Sequence, residues 1–69
     1  NDQPFWAAKS LLLMAKNFYE QDDIFQATYI LNSLLNNFVQ FPSIISEAKA
    51  YLIIIEKNQD IKKEVDEQN

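Results

Sequence analysis

Ser46-Glu47-Ala48-Lys49 has the Ser-x-x-Lys spacing of penicillin-binding enzymes, which would make Ser46 a nucleophile. That chemistry also needs further motifs and an oxyanion hole, which a chain of 69 residues does not accommodate. A helix cap or a surface serine accounts for Ser46 without it. Glu56 and Asp60 offer a pair of carboxylates, but acid–base work of the glycosidase kind requires burial and a fixed separation. Both stand in a polar C-terminal stretch that reads as a solvated tail. Asp22-Asp23 invites a calcium site, yet an EF-hand loop needs alternating oxygen ligands, a glycine and a distal Glu. A helix-capping role explains Asp23 with no metal. Cysteine and histidine are both absent, which removes disulfides, Cys/His zinc sites and haem ligation through His. No catalytic, cofactor-binding or metal-ligating residue is assigned, and the expectation is a non-enzyme without cofactors.

Three helical segments must position whatever remains. The first opens at Asp2 or Gln3, with Pro4 in its first turn, where a missing N–H costs nothing. Ala8, Leu11, Leu12, Ala15, Phe18 and Tyr19 follow at the three-four spacing of one helix face, and Trp6, Leu13 and Met14 widen that stripe. Glu20-Gln21-Asp22-Asp23 makes a short turn. Asp23 is the expected N-cap of the second helix, with Gln26 placed to complete a capping box. Ile24, Ala27, Leu31, Leu34, Phe38 and Phe41 then form the clearest periodic seam in the chain. Pro42 disfavours helical geometry in the residue before it, so the second helix is expected to end between Val39 and Phe41. Ser43 is the expected cap of a third helix carrying Ile44, Ile45, Ala48 and the run Tyr51 to Ile55. Residues 1–58 read as one helical domain. Residues 59–69 read as a polar tail, either a continuation of the third helix or a frayed end.

Composition narrows the function classes. Glycine is absent, whereas hairpin turns and phosphate-binding loops depend on it, and this argues for an all-α fold. Hydrophobic residues make up 48% and aromatics 13% of the chain, too apolar for disorder. Asp and Glu outnumber Lys and Arg by 10 to 6, so the clustered positive charge that nucleic acid requires is lacking. The longest apolar runs are far short of a membrane span, and no membrane insertion is expected. Lys9 and Lys16 lie seven apart on one side of the first helix, beside Leu12, Leu13 and Tyr19. A membrane-surface amphipath could be drawn there, but the negative net charge and two further helices to pack against oppose it. No basic n-region precedes an apolar stretch, and the chain is expected to be a piece of a longer protein. Lack of cysteine suits the cytosol and the bacterial envelope equally.

Helix, four-residue turn and antiparallel helix with an early alanine is the pattern that Phe5 to Phe38 presents. Ala15, Phe18, Ile24 and Ala27 fall where the tetratricopeptide-repeat family places its small, aromatic, apolar and small residues. Asp23-Ile24-Phe25-Gln26-Ala27 and Leu34-Leu35-Asn36-Asn37-Phe38 resemble repeats of bacterial envelope proteins, including outer-membrane assembly lipoproteins, and Ile45-Ser46-Glu47-Ala48-Lys49 resembles the opening of the next helix there. The resemblance covers residues 5–56. It departs at Asp22, where a turn glycine is common, at Leu11, where Trp is usual, and at Val39, where a proline normally ends the second helix. The resemblance implies a non-catalytic protein-binding scaffold, and it makes Lys9, Leu12, Lys16 and Tyr19 the candidate lining of a peptide groove.

The expected architecture is therefore an all-α, three-helix, tetratricopeptide-like unit: an antiparallel hairpin capped by a third helix. A repeat array needs about three repeats for a continuous core, and this chain holds fewer. One helix of three hides about half its circumference, so part of the run Tyr51 to Ile55 should face a neighbour. Phe5, Trp6, Tyr51, Ile53 and Ile54 are the expected association surface, toward a protein partner or a second copy. The alternative is an autonomous small homodimer, of a regulatory or coiled-coil kind, paired through the second-helix seam from Ile24 to Phe41.

Overall fold

The computed structural model describes residues 3–68. Among them three helices account for all the regular structure, α1 over Gln3–Glu20, α2 over Ile24–Asn37 and α3 over Pro42–Gln68. An opening at Asp2 lies outside the described residues. The body is elongated, 53 × 19 × 14 Å.

The α1–α2 turn is built from backbone geometry that the sequence supplies without glycine. Asp23 N–H donates to Phe18 O at 2.8 Å and Asp22 N–H to Tyr19 O at 2.9 Å, the paired bonds of a Schellman ending. The motif needs one left-handed residue, and Asp22 takes that place at φ 63°. Aspartate tolerates this region better than most side chains, which is why a turn glycine is dispensable here. Asp23 then serves the next helix as N-cap, its carboxylate accepting from Gln26 N–H at 3.1 Å. A cap of this kind stabilises a helix by about 1 kcal/mol. One residue closes α1 and the next opens α2, so the hairpin is tight.

Two expected boundaries are corrected. α2 stops at Asn37, with Phe38 as C-cap donating to Leu34 O, and not at Val39 to Phe41. At that end the Asn37 side-chain amide donates back to Ser33 O, one turn earlier. Pro42, expected to act as a terminator, is the first residue of α3, and Ser43 lies inside the helix and does not cap it. The fixed φ of proline suits a first helical position. Phe41 stands just outside and its carbonyl accepts from Ile45 N–H at 3.1 Å. At the other end the helix runs on to Gln68, so residues 59–68 continue α3.

The core is Ala8, Leu12 and Ala15 from α1, Ala27, Ile30, Leu31 and Leu34 from α2, and Ile44, Ala48 and Ile55 from α3. Four of these ten are alanines with no exposed surface, so the helices approach closely where their backbones cross. The contacts Phe5–Phe41, Lys9–Glu47 and Tyr19–Asn58 ascend together along α1 and α3, so these two helices run parallel, with α2 antiparallel to both. Phe5, Phe38 and Phe41 stack edge and face over one end of the bundle. Phe5 is therefore half-buried as a lid, whereas Trp6, in edge contact with it, stands 61% exposed.

Candidate functional site

Glu47 lies where α3 passes beside α1, and it reaches both lysines of that helix. Its carboxylate oxygens stand 3.9 Å from Lys9 Nζ and 3.7 Å from Lys16 Nζ. Lys16 Nζ also lies 5.8 Å above the Tyr51 ring, within cation–π range. Tyr51 meets Tyr19 edge-on at 5.7 Å, and the Asn58 amide donates to the Tyr19 hydroxyl. The result is one continuous polar-aromatic face along the α1–α3 seam. Ion pairs this exposed contribute about 0.2–1 kcal/mol each, so their value here is orientation more than stability.

This face gathers three of the four groove residues expected from the sequence, Lys9, Lys16 and Tyr19. Leu12 is corrected: it is 0% exposed and packs beneath the face as core. Of the expected association residues, Phe5 and Tyr51 are half-buried in ring contacts, while Trp6, Ile53 and Ile54 are exposed. Leu13 and Met14, read as widening the inward stripe of α1, also face outward. Glu47 and Asn58 were not foreseen as members of the face. Their signal was the spacing Glu47, Tyr51, Asn58, which returns to one side of α3 every three to four residues.

Burial pushes the Tyr51 hydroxyl above its ordinary value, and the charges of Glu20 and Tyr19 add to the effect. The folded state thus holds its proton more tightly than the unfolded chain. The associated stability is intact below the free phenol value of about 10 and declines as pH climbs past it. Tyr51→Phe, which has no proton to lose, is expected to flatten that part of the alkaline loss in helicity followed by circular dichroism. Superimposable alkaline curves for the two proteins would contradict the placement.

Other surfaces are shallow. Ser46 and Lys49 share an open depression of about 340 Å³ with Val39, Pro42 and Ile45. A groove of about 420 Å³ runs between α2 and α3, lined by Ile24, Thr28, Asn32, Leu52, Ile55, Glu56 and Gln59. No cluster of three metal-ligating side chains occurs among the described residues. Among them, too, no helix is long and apolar enough to cross a membrane. The chain matches no known protein family, no curated protein and no solved structure with which it was compared.

Proposed function

We propose that the chain is a non-catalytic protein-interaction module, built as one helical hairpin and the first helix of a following unit in a helical-repeat scaffold. The observation that carries this reading is where its apolar side chains lie. Among the described residues ten large apolar side chains stand exposed, Trp6, Leu13, Phe25, Ile53 and Ile54 among them, against six large ones inside the core. Solvated monomers scatter such residues singly, whereas here α1 carries three, α2 two and α3 four. The α2–α3 groove offers an apolar seat for a further helix, and the Lys9–Glu47–Lys16 face offers charge and aromatic edges to a polypeptide. Pairing through the α2 seam is less favoured. Ala27, Leu31 and Leu34 already lie within the core of a single copy.

Sedimentation velocity combined with titration by anilinonaphthalene sulfonate tests the reading. The folded chain is expected to associate as its concentration rises, or to take up the dye at saturable sites. A folded monomer that also ignores the dye would overturn it.

A further inference from the structure

We infer that the partner of the outer half of α3 is a second copy of the same helix, docked antiparallel. This rests on the interaction-module reading and gives it one specific occupant. Asp60 to Glu67 are all exposed, so the outer part of α3 projects beyond the body. A helix with no partner over so many residues is marginal in water. Yet it is not uniformly polar. Ile54, Ile61 and Val65 are 47%, 59% and 53% exposed. At 100° per residue they fall within about 40° of one another, with Asn58 alongside, roughly a quarter turn from the line Ile44, Ala48, Ile55 that faces the core. The spacing 54, 58, 61, 65 alternates four and three, as in the seam of a coiled coil.

The charges beside the seam select the direction. Lys57 and Glu64 flank it on the side away from the body, seven residues apart, and Lys62 flanks the other side. A parallel pair would set Lys57 against Lys62 of the second copy, like against like. An antiparallel pair centred between Gln59 and Asp60 sets Ile54 against Val65 of the second copy and brings its Ile61 beside Asn58, whose amide stays on the Tyr19 hydroxyl of its own chain. In that register Lys57 faces Glu64 of the second copy, and the two-fold axis repeats the contact. The same register brings the acidic tip Glu64–Glu67 of each copy toward the Lys16 side of α1 in the other. Ile53 falls about 100° from the stripe and has no place in the seam.

A charge exchange read by sedimentation equilibrium tests this. The unaltered chain is expected to dimerise. Lys57→Glu alone and Glu64→Lys alone should each weaken the dimer about tenfold, because both copies then oppose like charges. Mixing the two variants should restore a heterodimer near the original affinity. Ile61→Lys should abolish pairing, while Trp6→Ala and Phe25→Ala leave it in place. A chain that stays monomeric but takes up the dye overturns the second copy as partner and leaves the interaction module standing. Association that ignores the charges at 57 and 64, or that disappears with Trp6→Ala, overturns the seam.

Discussion

Leu31→Ala is expected to lower the unfolding free energy by about 3 kcal/mol and the melting temperature by at least about 12 °C. Leu31 has no exposed surface and sits in the middle of α2, the helix that lies antiparallel to both of its neighbours. Truncation removes buried methyl groups and leaves a cavity that the short helices close only in part. Domains hold about 0.05–0.15 kcal/mol of stability per residue, so a chain of this length has roughly 3–10 kcal/mol in all. One substitution therefore removes a large share of the margin. Phe25→Ala is the contrasting case. Phe25 is 75% exposed and touches Tyr29 by stacking, so its loss should stay within about 0.5 kcal/mol. Urea unfolding followed by circular dichroism compares the two. Equal destabilisation would mean that α2 presents a different face to its neighbours from the one described.

The same contrast explains which parts of the molecule were legible before its folding was known. The seams of α1 and α2 were readable because Ala8, Leu12 and Ala15, and then Ala27, Leu31 and Leu34, recur with the helical period and need no knowledge of their neighbours. The Asp23 cap was readable because its chemistry is local. Helix ends were less so. Proline both stops one helix and starts another, and Pro42 does the second, while α2 has already ended at Asn37. The run Tyr51 to Ile55 is apolar around most of the helix, so period alone could not tell Ile55, which is buried, from Ile53 and Ile54, which are exposed. That choice depends on the angle at which α3 lies across the hairpin. The site was harder for the same reason. Glu47 meets Lys9 and Lys16 across residues 38 and 31 apart in the chain, and such a contact depends on which turn of α3 comes to rest beside α1. Leu12 was misplaced because it shares a helix side with Lys9 and Lys16, and only the packing of α1 shows that it turns under them.

Ala27→Leu is expected to destabilise the chain by about 2 kcal/mol, the reverse kind of error from a cavity. Ala27 is the first core residue of α2 and lies one turn beyond the Asp23 cap. Helix axes come within 8–10 Å of each other according to the side chains at their crossing, and alanines allow the near end of that range. Leucine at 27 would have to push α1 away. The turn gives little room to do so, since Asp22 and Asp23 are both held by bonds to the end of α1. Relief would have to come from breaking the Schellman bonds or from displacing other side chains of the core cluster, each of which exposes core. Ala50→Leu is the matched control, because Ala50 is exposed on α3 and a larger side chain there meets only water. Thermal melts of the two variants should differ by about 8–16 °C. If both melt together, the buried alanines do not set the helix spacing, and the hairpin is looser than its geometry states.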